Sequence, residues 1–383
     1  MLMSNWITRN QKVLPIGVDI GHHSVKMVQL AQSDDNLKVL AVERASVPGS
    51  VAADGQERRR WVVSAIRQLM SRGRFKGRDA VSSLSADELQ ITSLRLAEAE
   101  TVQVDKALRK EAAQRFDLDV ETDAISYLLA GSVRQDDEVK NEFIVLAAKG
   151  ATIEGHIALL EEAGLTLVGI DAAPCALFRG FERAMRREED KQRTVIFVDV
   201  GYRCTTVVFG RSGEICLAKQ MPFGMARFDE EVASKLEVTP GDAESLRLRL
   251  QREEPMEDGT RHLVTDALVL AAEQLAKELS LCLRYHTVTF RGKRVERAVV
   301  AGGGAQEKVL LDVLQRHLSI AVEAAEPFRG LDVGQIRCGD EDSRSSVDLA
   351  LAIGLSLKGR TVSAPAGEPP EVAPEPVLEG EQA

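Results

Sequence analysis

Aromatic residues are scarce in this 383-residue chain: Phe, Trp and Tyr together make up 4%. So few rings cannot build the stacking platforms on which single-stranded nucleic acids lie. Positive charge is not in excess either. There are 49 Lys and Arg against 59 Asp and Glu, for a net charge of −10 at pH 7, the opposite of a nucleic-acid footprint. No stretch reaches the roughly 18 consecutive apolar residues that a membrane span needs. The opening MLMSNWITRNQKVLP holds no apolar run of signal-peptide length. The expectation is a soluble, cytoplasmic protein with no nucleic-acid partner and no direct membrane insertion. The cysteines (Cys175, Cys204, Cys216, Cys282 and Cys338) are odd in number, scattered, and form no CxxC pair. That argues against a disulfide frame or a zinc site and for small reduced core residues. Two phosphate loops are also missing: neither GxxxxGK[ST] nor a GxGxxG after a first strand occurs.

What is present is ordinarily globular, 44% hydrophobic and 28% charged, and long enough for two or more compact units. Residues 14–30 read as strand–turn–strand, 37–48 as an extended stretch, and 57–72 as a helix. Two short strands are expected within 79–97 and a helix at 102–115. The strand-like DAISYLLAGSV and EFIVLAAKG follow, then a helix at 152–163. The order over 90–163 suits a small α+β module. The polar run RREEDKQR (186–193) reads as a solvated boundary between lobes. Beyond it, TVIFVDVGYRCTTVVFGRSGEICLAKQMPFG is again strand–turn–strand with a second turn at 211–213. Helices are expected at 226–237 and 241–252. Within 262–285, Leu268, Ala272, Leu275, Leu279 and Cys282 recur at spacings of three and four, the core face of a long amphipathic helix. RAVVAGGGAQEKVLLDVLQRHL reads as strand, glycine turn and a helix starting near Gln306. SIAVEAAEPF adds a strand and SVDLALAIGLSLKG a last apolar helix. The tail 361–383, rich in Pro, Ala and Glu, reads as disordered.

The chain repeats itself. IGVDIGHHSVKMV (16–28) aligns with IFVDVGYRCTTVV (196–208), so that Asp19 falls on Asp199 and Gly21 on Gly201, 180 residues later. One apolar strand ending in Asp-x-Gly is weak evidence; two, each opening half of the chain, point to duplicated lobes. The pattern suits phosphate. A tight hairpin turns backbone N–H groups into one concavity, and glycine lets the backbone approach a ligand. An aspartate at the strand end supplies a hard oxygen for Mg²⁺ or its waters. Lys26 adds a point charge, and Ser24 and Thr205 add hydroxyls. The run Gly302, Gly303, Gly304 between a strand and a helix is either a tight turn or a close approach to an anionic or flat group.

Two Asp-x-Gly hairpins and a late GGG turn, in this order, resemble the actin-like ATPase superfamily, which includes actin, sugar kinases, heat-shock chaperone ATPases and FtsA. The matching regions are phosphate-1 at 18–26, phosphate-2 at 198–206, the adenosine turn at 300–304 and a last connecting helix at 347–358. Within the superfamily the chain is similar to the PilM family of type IV pilus assembly proteins over about 14–358. The resemblance is carried by IGVDIGHHSVKMVQL, by LRLAEAETVQVDKALRKEAAQRFDLDVETDAISYLLAGS, by FIVLAAKGATIEGHIALLEEAGLTLVGIDAAPCALFRGF and by VVAGGGAQEKVLLDVLQRHLSIAVEAAEPF.

The resemblance implies an α/β, two-lobed actin-like ATPase fold of duplicated ribonuclease-H-like lobes with a small inserted α+β subdomain. Lobe 1 would comprise 14–86, 169–188 and 340–358, with the inserted subdomain at 87–168. Lobe 2 would comprise 189–240 and 295–339, with a helical subdomain at 241–294 and the tail at 359–383. It implies ATP and Mg²⁺ in the cleft. Asp19, Gly21, His22, His23, Ser24, Lys26, Asp199, Gly201, Arg203, Thr205, Gly302, Gly303 and Gly304 would bind the nucleotide, with Asp19 and Asp199 holding the metal through water. It implies a partner too: the N-terminal cytoplasmic tail of a PilN-like membrane protein, in a groove between lobe 1 and the inserted subdomain. Residues 90–98 and 124–130 are candidate walls. The wider assembly would be the PilO, PilP and PilQ platform, with this chain peripheral to the inner membrane through its partner.

Three departures qualify the activity. His22 and His23 stand where the family has small residues; they either donate to phosphate or face solvent. Tyr202, Arg203 and Cys204 are bulkier than the family's second loop, so Arg203 either contacts phosphate or fills the nucleotide space. In IDAAPCALF, Ala173 precedes Pro174 where many superfamily members carry an acidic or amide group beside the attacking water, and Asp171 comes two residues too early. Weak or absent hydrolysis is expected. The alternative is a degenerate pseudo-ATPase scaffold of a related secretion or pilus platform without nucleotide turnover.

Overall fold

A computed structural model describes residues 11–33, 36–49, 51, 55–97, 101–135, 138–182, 193–290, 294–334 and 346–360. The polar run over 186–192, Cys338 and the tail 361–383 lie outside the described residues. In chain order come β1 (Lys12–Ile20), β2 (Ser24–Ser33), β3 (Asn36–Ser46), α1 (Gln56–Arg72), β4 (Asp79–Ser83), β5 (Gln90–Ala97), α2 (Thr101–Phe116), β6 (Ala124–Gln135) and β7 (Glu138–Ala148). Next are α3 (Gly150–Glu162), β8 (Thr166–Asp171), α4 (Ala173–Glu182), β9 (Thr194–Val200), β10 (Thr205–Arg211) and β11 (Glu214–Met221). Then follow α5 (Met225–Leu236), α6 (Pro240–Gln251), α7 (Asp258–Thr289), β12 (Val295–Ala301), α8 (Lys308–His317), β13 (Ala321–Ala324) and α9 (Ala350–Ser356).

Two five-stranded sheets share one plan. Their orders are β3-β2-β1-β4-β8 and β11-β10-β9-β12-β13. In each, three strands form an antiparallel meander and two more join in parallel. The 180-residue repeat is therefore structural. Across the first hairpin Asp19 pairs with Lys26, and across the second Asp199 pairs with Thr206. The first sheet is covered on both faces. Ile16, Val18, Val25 and Met27 pack toward α1, while Leu14, Val28 and Leu30 pack toward α9. A strand buried on both sides needs a near-continuous apolar run, which LPIGVDI supplies.

Helices α4 and α9 cross between the sheets at backbone contact. A Cβ on Gly354 would lie 1.9 Å from the Ala176 carbonyl oxygen, and one on Gly17 1.9 Å from that of Ala352. On its other side α4 reaches lobe 2, where the Phe181 ring stacks on Phe197 at 5.1 Å.

The third sheet, β5-β7-β6, is antiparallel. Alternation along β7 divides its faces: Phe143, Val145 and Ala147 pack with α2, whereas Ile144, Leu146 and Ala148 join the core of lobe 2. A polar cluster closes that second contact. Glu142, 1% exposed, accepts from Arg95 and from the Tyr285 hydroxyl of α7 at 2.9 Å.

Three details depart from the sequence reading. The inserted subdomain is shorter than 87–168, because Leu160, Ala163 and Leu165 of the α3–β8 segment pack with Ile16 and Val62 in the lobe 1 core, and β8 pairs with β4. The helix expected near Gln306 begins at Lys308, after a 3₁₀ turn over Gly303–Gln306. The last apolar helix is a short α9 between two 3₁₀ turns, Val347–Leu349 and Leu357–Gly359.

Candidate functional site

The two Asp-x-Gly hairpins close in the same way. The Gly21 N–H donates to the Ser24 carbonyl at 3.0 Å, and the Gly201 N–H to the Cys204 carbonyl at 3.0 Å. The second hairpin is anchored on α5, whose Met225 and Ala226 N–H groups donate to the Gly201 and Tyr202 carbonyls. The glycine turn abuts it. Gly302 has φ +81°, and a Cβ there would stand 2.5 Å from Asp199 Oδ1, so only glycine fits both the conformation and the space.

Between these turns lies a cavity of about 310 Å³. Asp19, Gly21, His22, His23, Ser24 and Lys26 line it from lobe 1, and Asp199, Gly201, Arg203, Gly302 and Gly303 from lobe 2. Two expected residues stand apart. Thr205 is buried and its Oγ1 donates to the Phe223 carbonyl at 2.6 Å; its neighbour Thr206 lines the cavity instead. Gly304 packs against Val200 and Met225. The strict 180-residue offset was the signal for this, since it places Thr206, not Thr205, opposite Lys26.

Sequence reasoning missed Asp348, in the 3₁₀ turn ahead of α9, which also lines the cavity. Its Oδ1 is buried without a hydrogen-bond partner, and its Oδ2 lies 3.6 Å from Arg44. Lys26 Nζ sits 2.9 Å from Asp19 Oδ2. Burial works against the lysine's charge, but Asp19 first, then Asp348 and Asp199, hold its pKa above the ordinary value. Asp199 goes the other way from an ordinary carboxyl. Burial, then the charges of Asp19 and Asp348, push its pKa up to about 7 against the pull of Lys26. Three carboxyls thus act on the one buried lysine, and Arg44 stands beside the third of them.

No group of three or more His, Cys, Asp or Glu among the described residues is placed to hold a metal ion directly. The donor set fits a hydrated divalent cation, which keeps several waters and takes few carboxylates. The orphaned Asp348 Oδ1 and the raised pKa of Asp199 are what such a charge would relieve.

The two hairpin tips meet. His23 stacks on Tyr202, ring centroids 4.4 Å apart, and its Nε2 lies 3.0 Å from Glu244 of α6. His22 Nε2 lies 3.7 Å from Asp87. Further into lobe 2, Arg247 is buried on Asp229, Nε to Oδ1 2.6 Å, and Gln251 donates to Gln306 at 3.1 Å. At the first turn of α4, Ala173 lines the cavity with no polar side chain. Asp171 is engaged elsewhere: it accepts from Arg179 at 2.7 Å and pairs with Lys358 at 3.1 Å.

A second cavity, of about 850 Å³, lies between the inserted sheet and the β8–α4 segment. Its walls include Ile125, Leu128, Leu129, Ile170 and Cys175. Residues 124–129 thus contribute a wall here, while 90–93 face a third cavity of about 660 Å³ beside β11 and α7.

Comparison with known proteins places this geometry. Residues 17–360 match the family described as type IV pilus assembly protein PilM. Among solved structures, a PilM–PilN type IV pilus biogenesis complex is 20% identical, with 90% of this chain and 98% of that chain covered and a TM-score of 0.71. The ethanolamine utilization protein EutJ from Carboxydothermus hydrogenoformans is 14% identical, with 93% and 92% covered and a TM-score of 0.54. The fold is the two-lobed actin-like ATPase fold, and the chain belongs to the PilM family.

Proposed function

We propose that this PilM-family protein is a nucleotide-holding adaptor of the type IV pilus inner-membrane platform, which binds the cytoplasmic N-terminal tail of a PilN-like membrane protein. The observation that carries the nucleotide part is the interlobe cavity, where two matching hairpins present Asp19, Lys26 and Asp199, and the turn ahead of α9 presents Asp348, to one space. ATP would lie with its phosphates against the Gly21–Ser24 and Gly201–Arg203 turns. Its base would lie toward Arg247, Gln251 and Gln306, and Mg²⁺ would be held through water by Asp19, Asp199 and Asp348. A bound Mg²⁺ supplies positive charge to the phosphates. Lys26 supplies a fixed cation, and the hairpin amides supply donors.

Turnover is a separate matter. Ala173 offers no group to position or activate water, and Asp171 is tied to Arg179 and Lys358. The nucleotide therefore serves as a structural or switching ligand, with hydrolysis slow or absent.

The tail-binding part is supported by family membership and by the solved PilM–PilN complex. The cavity of about 850 Å³ between the inserted sheet and lobe 1 offers apolar walls for such a tail. No described helix is long and apolar enough to cross a membrane, so a membrane partner would supply the inner-membrane attachment. PilO-, PilP- and PilQ-like components would complete the platform beyond PilN.

Titration calorimetry tests both parts separately. Mg·ATP should bind the purified chain with a stoichiometry of one, and a synthetic peptide of the PilN-like tail should bind the same preparation. Absence of nucleotide binding overturns the first part alone; absence of peptide binding overturns the second.

A further inference from the structure

Positive charge in this chain is concentrated in one segment. Residues 56–79, from α1 to the first residue of β4, hold eight Lys and Arg against two acids, a net charge of +6 in a chain of −10, so the remaining residues carry −16. Three of the eight cations are spent within the fold. Arg58 reaches the Gly21 carbonyl and the Trp61 ring. Arg59 pairs with Glu162 at 2.9 Å, and Arg72 with Glu43 at 2.6 Å. The other five, Arg60, Arg67, Arg74, Lys76 and Arg78, are exposed, and none of them forms an ion pair among the described residues. Arg67 and Arg78 donate only to carbonyls, those of Glu162 and Gly164.

The five belong to one surface. Helix α1 buries Val62, Val63, Ala65, Ile66 and Leu69. On its outer side Arg60, Ser64, Arg67 and Ser71 fall within about 60° of one another at 100° per residue, and all four are exposed. Past the Gly73 cap the chain adds Arg74, Lys76 and Arg78. The two carbonyls that receive Arg67 and Arg78 are two residues apart in the α3–β8 turn, which ties the end of the strip to its middle. Cations and small hydroxyls make up this outer side of the helix. Such a surface binds through charge at the level of a ligand's phosphates and has no apolar face with which to insert.

We infer that α1 and the 73–78 turn are a lipid-headgroup surface, by which lobe 1 lies on an anionic membrane. Charge selects the occupant. A flat sheet of lipid phosphates meets the strip alone, and each cation within a Debye length of it adds attraction. A polyanion that wraps the molecule, such as a nucleic acid, also meets the negative excess of the remaining surface. The strip adjoins the proposed tail groove as well: α3 receives Arg59 and Arg67 and contributes Ile153 to the groove wall. The membrane partner would supply the attachment, and the strip would fix which face of lobe 1 turns to the bilayer. The inference rests on the proposed function only for the nearness of a membrane. Lipid vesicles carry no tail peptide, so the two readings can fail separately.

Co-sedimentation of the full chain with vesicles tests it. The chain should bind phosphatidylcholine vesicles that carry about one-third phosphatidylglycerol and ignore pure phosphatidylcholine, and about 0.5 M salt should release it. Arg60→Gln, Arg74→Gln and Lys76→Gln should each weaken binding by about fivefold, the effect of one cation near an anionic surface. The triple variant should fail to bind and should melt with the wild type, since all three side chains are exposed. Lys277→Gln, at an exposed position of α7, should bind as the wild type does. A wild type indifferent to phosphatidylglycerol overturns the inference. So does a triple variant that binds like the wild type, a Lys277→Gln variant as weak as those of the strip, or a DNA duplex bound as tightly as the anionic vesicles.

Discussion

His23 of the first hairpin stacks on Tyr202 of the second, with ring centroids 4.4 Å apart and planes inclined by 30°. The contact spans the cleft mouth and is reinforced by Glu244, 3.0 Å from the same imidazole. A contact so placed would act as a latch on a ligand in the cleft. Tyr202→Ala should speed release of bound nucleotide by about tenfold, with a smaller change in association, because interface contacts are felt mainly in dissociation. Stopped-flow displacement of a fluorescent ATP analogue measures this, and an unaltered release rate would remove the latch.

Asp199 makes the cleft pH-sensitive. Its pKa stands at about 7, above the ordinary carboxyl value of 3.8, because of burial and then the charges of Asp19 and Asp348. The folded protein therefore binds a proton more tightly than the unfolded chain does. That contribution to stability is complete below pH 3.8 and is lost as pH rises through about 7. A divalent cation competes with the proton, so Mg·ATP affinity should rise between pH 6 and pH 8 by about tenfold, with proton release on binding. Calorimetry in buffers of different ionisation enthalpy reads the proton. Asp199→Asn should abolish the pH dependence; its persistence in that variant would assign it to another group.

Asp348 and Asp19 should separate metal from nucleotide. Asp348→Asn removes a charge that faces the cavity without a hydrogen bond on Oδ1, so it should weaken Mg²⁺-dependent binding by about tenfold and leave folding intact. Asp19→Ala removes the carboxylate paired with Lys26 at 2.9 Å and should weaken binding further. Equal ATP affinity with and without Mg²⁺ in the wild type would contradict both.

The glycines at backbone contacts predict stability losses. Gly354→Ala places a Cβ 1.9 Å from the Ala176 carbonyl oxygen, which cannot move aside without displacing α4. The expected loss is about 3 kcal/mol or more, in the range of severe overpacking. Gly155→Ala, inside α3 with a Cβ that would meet nothing within 4 Å, is the matched control and should be as stable as the wild type or more so, by up to about 1 kcal/mol. Chemical denaturation of the two variants decides the point.

Much of this was legible in the sequence because it rests on local periodicity. The α7 core face, Leu268 to Cys282, follows from spacings of three and four, and all five of its expected residues are buried. The paired hairpins follow from a repeat that needs no tertiary knowledge. What escaped was long-range. Asp348 lies more than 300 residues from Asp19 and carries no motif of its own; only the packing of α9 across β1 brings it to the cleft. Thr205 and Thr206 are adjacent and chemically equal, so strand register alone decides which hydroxyl faces the cavity. The end of the inserted module was misplaced for a related reason. An amphipathic helix such as α3 shows that it has a partner, but not which sheet that partner belongs to.

The third sheet is an insertion in lobe 1 by chain order, yet one of its faces belongs to the core of lobe 2, and Arg95, Glu142 and Tyr285 join it to α7. It is in effect a strut. Rotation of the lobes must either break that polar cluster on the buried Glu142 or drag the groove wall of β6 along with it. A ligand in the groove and one in the cleft would then weigh on the same mechanical coordinate. To whatever extent the two prefer different lobe angles, each must alter the other's affinity by the same factor.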